Sequence, residues 1–426
     1  MNRPALPVAV TLCVLFLFSC ATTPDTGDVS SVSPENGVQD PLPQRGDQPF
    51  STVPWDPTGA LENQTVAEHL AAMDLRQRIG QRFMVFVPRG YADHPGPFNE
   101  VMARGTPGGL IVYRWNYDDR QDVIDLTGRL QALTQCYQPG RGLLISADQE
   151  GGRVAAFRFP DIVRIPSAAM VGYHQDPEFV RSLAYVTGRE LALMGINMNL
   201  APVLDLTDIP DASIIGDRAW GDDPDLVSRL AESYVQGMHQ AQVVATAKHF
   251  PGHGVTRVDS HGRLPVVDYR MDDLRRRELL PFQAAVDAGV PVVMTAHILF
   301  PLIDPDFPVT ISRLFMEDLL RREMGFDGVV ISDGLEMGAL AANYSLDETL
   351  EGAIIAGVDI ILLYTRYDLL DVIDRVEQMV ADGRVTEAQI DQGVERILRL
   401  KYRYGLLLSA ADLTHGEICD YPDDLR

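Results

Sequence analysis

Two stretches of the chain concentrate residue types that can do acid–base and nucleophilic chemistry. Lys248-His249-Phe250-Pro251-Gly252-His253-Gly254 runs into Asp259-Ser260-His261, and Ser332-Asp333-Gly334 follows further along. An aspartate two residues from a histidine can orient the imidazole and stabilise its protonated form, so Asp259 and His261 can deliver a proton and later take one back. Gly252, Gly254 and Gly262 give that loop backbone freedom. Asp333 between small neighbours lets a ring approach its carboxylate. The competing assignment for Asp333 is the N-cap of a helix over 334–342. A carboxylate that attacks and an acid that protonates a leaving oxygen are what cleavage of a glycosidic bond with retention requires. Asp148, Arg218, Lys248 and His249 could hydrogen-bond a hydroxyl-rich ring, and Trp220 could stack on it or simply pack. Arg153 could pair with Glu150 or with a carboxylate on a neighbouring loop.

His239, His249, His253, His261 and His297 crowd into one part of the chain, so a metal centre competes with this assignment. The first strand-like run ends Phe86-Val87-Pro88-Arg89 without a His-x-His pair, and Lys248 beside His249 would repel a cation. No metal and no other cofactor is expected.

The elements that must position these groups are legible as an alternation of short apolar runs and amphipathic segments. Eight runs have the look of buried parallel strands, at 83–87, 109–113, 143–147, 196–204, 243–247, 292–295, 329–331 and 358–363. Between or after them, helical patterns cover 121–134, 177–194, 224–241, 271–288, 312–324, 367–380 and 387–404. Asp176-Pro177 and Asp223-Pro224 open helices, and Gly195, Gly289 and Gly325 close them. Eight β–α units predict an α/β fold, a single (β/α)8 TIM-type barrel. A doubly wound sheet is the competitor, but no GxGxxG follows the first strand. In a barrel, Asp148, Asp205, Lys248, His297 and Asp333 would all sit at the C-terminal ends of strands, on one rim.

Around this domain, placed at 59–410, the chain reads differently. Arg3, the apolar run 5–18, Ser19 and Cys20 have the pattern of an export signal over 1–19 with a lipidation cysteine after it. Residues 20–58 are rich in Pro, Asp, Ser, Thr and Gly and form a tether, and 411–426 form a tail. The chain carries 60 acidic and 36 basic residues, a net charge of −24. That excludes nucleic acid and anionic lipid surfaces as electrostatic partners. Contact with a membrane is expected only through a lipid on Cys20, with the domain exported, facing the periplasm or the cell exterior, and monomeric. Whether Cys136 and Cys419 pair stays open.

The stretch from Lys248 to Gly254 with Asp259-Ser260-His261 resembles the signature of family 3 glycoside hydrolases, in the β-N-acetylglucosaminidase branch. Asp148-Gln149-Glu150-Gly151-Gly152-Arg153-Val154 and Ser332-Asp333 match the same pattern, and the resemblance spans about residues 65–407. It implies a (β/α)8 barrel, retention of configuration and no metal. It also implies Asp333 as nucleophile, His261 as acid/base, Asp259 as its partner, and Asp148, Arg218, Lys248 and His249 as sugar-binding positions. The implied substrates are terminal β-N-acetylglucosaminides of peptidoglycan fragments or chitooligosaccharides. Phosphorolysis at the same site and a non-catalytic glycan-binding lipoprotein are the alternatives. The chain departs from the family at Ala156, where an arginine is common, and at Gly334 and Glu336.

Overall fold

The computed structural model describes residues 59–409 apart from 92, 208–212, 257, 258, 261 and 365. The expected signal, tether and tail, with Cys20 and Cys419, lie outside the described residues. The barrel strands are β1 (Phe83–Phe86), β2 (Gly109–Ile111), β3 (Leu144–Ala147), β4 (Met198–Asn199), β5 (Val244–Phe250), β6 (Val292–Thr295), β7 (Val329–Ser332) and β8 (Ile361–Leu363). All neighbours pair in parallel, in the order β8-β1-β2-β3-β4-β5-β6-β7. A parallel bridge between Ile331 and Ile360 brings the two ends of that order together. The expected (β/α)8 barrel is therefore the observed fold.

Strand periodicity sorts the core into two layers. Met84, Phe86, Ile111, Leu144, Val244, Val292, Met294, Val329, Ile331 and Leu362 fill the barrel interior. Their neighbours Phe83, Val85, Leu110, Ile145, Val293, Val330 and Ile361 face the helices. The helices bury one stripe each. In Leu369–Ala381 it is Leu369, Val372, Ile373, Val376 and Met379, the spacing of one helical face. Helices Pro177–Leu193 and Pro224–Gln240 come close where Gly237 lies, since a Cβ there would stand 2.3 Å from the Arg181 carbonyl oxygen.

The predicted start and stop signals do what their chemistry says. Asp176 accepts from the amides of Glu178 and Phe179, and Asp223 from that of Asp225. Gly195, Gly289 and Gly325 have φ of 74°, 80° and 74°, the left-handed closing conformation. Three features differ from expectation. The run 196–204 ladders as a strand only over Met198–Asn199, because Pro202 lacks the amide that would continue it. The segments 271–288 and 312–324 contain wider π turns at Leu274–Glu278 and Leu314–Glu323. Gln149–Gly151 and Val154–Ala155 form a small antiparallel hairpin, turning at Gly151 and Gly152 with φ of 106° and 54°.

Candidate active site

The alternation that packs the interior also places the chemistry. In β3 the inward series 144, 146 leads to 148; within β5 it is 244, 246, 248; in β7 the series 329, 331 leads to 333. The apolar residue at the base of each series lies in the interior layer, and Asp148, Lys248 and Asp333 stand at the C-terminal end of the same face. Lys248 is almost fully buried and its ammonium bridges two carboxylates, Asp148 Oδ1 at 2.8 Å and Glu150 Oε1 at 2.6 Å. Glu150 also accepts a two-pronged pair from Arg218, Nε to Oε2 and Nη2 to Oε1, both 2.8 Å. Burial alone would raise the Glu150 carboxyl, but Lys248 and Arg218 hold it down at about 2. This bidentate geometry fixes the guanidinium plane. One hydrogen of the Lys248 ammonium and the second oxygen of Asp148 have no partner among the described residues, so both can receive a ligand hydroxyl.

His249 stands next in line. Its Nδ1 donates to Asp205 Oδ2 at 2.7 Å, which leaves Nε2 as an acceptor 3.5 Å from Arg218 Nη2. Asp205 is fully buried; burial would raise its carboxyl, but His249 and then the His253 amide, which donates at 2.7 Å, keep it below its usual value. His253 serves the loop. The Thr256 hydroxyl gives its proton to the His253 carbonyl, so His253 Nδ1 donates to Thr256 Oγ1 at 2.7 Å and Nε2 accepts from Ser260 Oγ at 3.1 Å. Burial and the neighbouring His249 push this imidazole down to about 4, so it stays neutral. Ser260 is held from its other side by the Ala339 amide, which donates to its carbonyl at 2.9 Å. Asp259, the residue before it, is exposed, and His261 lies outside the described residues.

Asp333 is not a helix cap: the following helix is Gly338–Ala341, with Met337 at its N-cap. Its Oδ1 accepts from the Gly334 amide at 2.8 Å, and Oδ2 has no partner among the described residues. Burial would raise this carboxyl, but His297, His249, the Gly334 amide and Lys248 together keep it below the ordinary aspartate value. His297 lies just under it, with Nε2 donating to the Gly334 carbonyl at 3.0 Å and Nδ1 against Thr310 Oγ1 at 2.7 Å. Asp333 is thus an ionised carboxylate beside Lys248 and His249. Such a group can attack a carbon or stabilise a cation.

Several open alternatives are resolved. Trp220 is buried, its ring 5.9 Å from that of Tyr234, and belongs to the core rather than to a sugar face. Arg153 pairs with Asp217 at 2.8 Å, because Glu150 is already taken by Arg218 and Lys248. His239 ends helix Pro224–Gln240, at the opposite end of the barrel, so the histidine cluster splits. Two participants were not foreseen as such. Glu150 is the hub of the cationic side. Tyr364, just past β8, packs on Phe86 with ring centroids 4.3 Å apart and lies close enough to Asp333 and Asp148 for both to raise its phenol. Burial is the larger cause of that rise. A Cβ on Gly334 would stand 1.7 Å from Tyr364 Cε2, which accounts for the glycine after Asp333. Glu336, the other departure, accepts from the Tyr364 amide at 2.7 Å and so fastens the end of β8 to the loop after β7.

The barrel has known relatives. Residues 75–400 match the model of the glycosyl hydrolase family 3 N-terminal domain. The chain is 33% identical over 330 residues to a β-hexosaminidase A of Pseudoalteromonas piscicida, covering 72% of this chain and 55% of that one. It is 36% identical over 271 residues to a β-hexosaminidase of Nitrosomonas eutropha, covering 62% and 75%. A solved family 3 β-N-acetylglucosaminidase from Paenibacillus sp. FPU-7 superposes with a TM-score of 0.75 at 38% identity, over 83% of this chain and 67% of that one. The chain therefore spans about half the length of the first of these relatives and two thirds or more of the others.

Proposed function

The chain belongs to glycoside hydrolase family 3, and from that premise we propose that it releases terminal β-linked N-acetylglucosamine with retention of configuration. The observation that carries this reading is the Asp333 carboxylate on the barrel rim, ionised and with one oxygen unengaged, beside the Lys248, Asp148, Glu150 and Arg218 cluster. Asp148, Lys248, His249 and Arg218 hold the hydroxyls of the terminal sugar. Asp333 attacks the anomeric carbon as the bond to the leaving oxygen breaks, and His261, oriented by Asp259, gives that oxygen its proton. Water then attacks the glycosyl-aspartate, giving a proton to His261 and freeing Asp333. Peptidoglycan fragments and chitooligosaccharides are the substrates this reading favours. Export and a lipid on Cys20 belong to the same reading.

The test is hydrolysis of a chromogenic β-N-acetylglucosaminide by wild type and Asp333→Ala, with NMR of the first-formed sugar. Expected are β-configured product and a loss of about 10⁴-fold or more in kcat/KM for the variant. Unchanged turnover in D333A, or an α-configured product, would defeat the assignment.

A further inference from the structure

Past Asp148 the rim opens into a cavity of about 480 Å³ lined by Tyr117, Phe159, Arg114 and Arg158 among others. Beyond the hairpin lies a second cavity, of about 760 Å³, that shares Arg158 and Phe159 with the first and adds Arg164. Asp148 belongs both to this lining and to the Lys248 bridge, so the space is continuous with the sugar site.

Its charge runs against that of the chain, which is −24 overall. Of the acids in the two linings, Asp148 is paired with Lys248 and Asp217 with Arg153, leaving Asp118. On the cationic side, Arg114 and Arg164 form no ion pair with any described residue. Arg158 has no carboxylate partner either; its guanidinium is clamped by the carbonyls of Ala155 at 3.3 Å, Gly152 at 3.2 Å and Arg153 at 2.6 Å. That clamp uses Nε and Nη2, and Nη1 has no hydrogen-bond partner among the described residues. The Ala156 side chain is small, and its carbonyl is tied to the Tyr117 hydroxyl at 2.6 Å, so the wall stays open where a longer side chain would fill it. The rings of Tyr117 and Phe159 meet edge to face at 5.5 Å and give the cavity a rigid apolar side.

Resting on the reading above, we infer that this is a second subsite, which holds an anionic part of the substrate beyond the sugar bound by Lys248 and Asp148. The group recognised is an oxyanion, a carboxylate or phosphate, met by Arg114, Arg158 and Arg164, with the ring or chain that carries it lying on Tyr117 and Phe159. The carbonyl-clamped guanidinium of Arg158 can match the paired oxygens of such a group, and a cationic patch in an anionic protein also steers the ligand in. The oxyanion can arrive from two directions, on the leaving group or on the terminal sugar itself.

Binding separates this from turnover. Calorimetry on the full chain would use non-cleavable S-linked N-acetylglucosaminides in two matched pairs. One pair carries a carboxylic acid or its methyl amide on the leaving group; the other carries a 6-phosphate or a free 6-hydroxyl on the sugar. We expect the anionic member of one pair to bind about tenfold tighter or more, weakening as salt is raised from about 0.02 to 0.5 M. The pair that shows the preference identifies the end of the sugar facing the cavity. In R114A/R158A the preference should fall below about twofold, while the neutral member binds as in wild type, which also reports an intact fold. Equal affinities within both pairs, or a preference that survives in the double variant, would overturn the subsite. Neither outcome depends on whether the chain hydrolyses a chromogenic substrate, so failure here is distinguishable from failure of the proposed activity.

Discussion

The two ends of the barrel both bury charge, and they use it in opposite ways. At the N-terminal end, Asp359 just before β8 is almost fully buried and accepts from Arg321 at 2.6 Å, Arg396 at 3.0 Å and the Val330 amide at 2.8 Å. Arg82 joins this group by donating to the carbonyls of Val358, Asp359 and Gln389. Arg321 adds the carbonyls of Phe326 and Gly328. Asp359 thus meets guanidiniums on two sides, and Arg82 and Arg321 spend much of their donor capacity on backbone. This end is a plug. At the C-terminal rim, Lys248, Asp148 and Asp333 each keep one hydrogen or oxygen without a partner among the described residues. Burial of charge by itself does not mark a functional site; incomplete satisfaction at an accessible strand end does.

The contrast can be broken by experiment. Asp359→Ala would leave the Arg321 and Arg396 guanidiniums without their carboxylate, and should cost about 3–5 kcal/mol of stability in urea denaturation, with catalysis per folded molecule unchanged. A large loss of kcat/KM in still-folded D359A would mean the plug is not merely structural. Lys248→Met should show the reverse balance. Arg218 still neutralises Glu150 and Asp148 is partly hydrated, so stability falls less than in D359A, while kcat/KM drops by about 100-fold, roughly 2.7 kcal/mol.

Lys401 sharpens the picture of the plug end. It is fully buried, its ammonium meets only Gln81 Oε1 at 2.8 Å among the described residues, and burial with Arg141 nearby pushes its amine from 10.5 down to about 7. Between those two pH values the unfolded chain holds the proton that the folded chain has released, so stability rises with pH there by up to about 1.4 kcal/mol per unit. Lys401→Met should flatten that rise and stabilise the protein at pH 7, read from denaturation at several pH values. A slope that survives in K401M would assign it to another group. The smallest effect is expected from His297→Phe. His297 helps hold the Asp333 carboxyl down, so its removal lets that carboxyl rise, and the acid limb of kcat/KM should move to higher pH by less than about one unit. An acid limb that stays put would remove His297 from the electrostatics of Asp333.

Much of this was readable from residue order. The apolar runs located the strands, and their period of two places Asp148, Lys248 and Asp333 on one face. Asp and Gly signals set helix ends that the structure reproduces. What was not readable is partner choice. Glu150, Arg153, Asp217 and Arg218 are all loop charges, and nothing in their spacing says that Glu150 takes Arg218 while Arg153 takes Asp217; that depends on a hairpin whose turn is made by Gly151 and Gly152. Trp220 was open to stacking on a sugar or to packing, and only the Tyr234 ring beside it decides for packing. Tyr364 was missed because one tyrosine after a buried strand carries no periodic signal; its place becomes meaningful only when β8 closes against β7.

That closure ties two distant positions into a single unit. The room a side chain at 334 would need is already occupied by the Tyr364 ring, so an alanine at 334 must displace the tyrosine, and shrinking the tyrosine would leave a hole beside the Asp333 carboxylate. Anyone remodelling this rim by exchanging residues with a relative would have to transplant both positions together, since neither half of the pair makes steric sense alone.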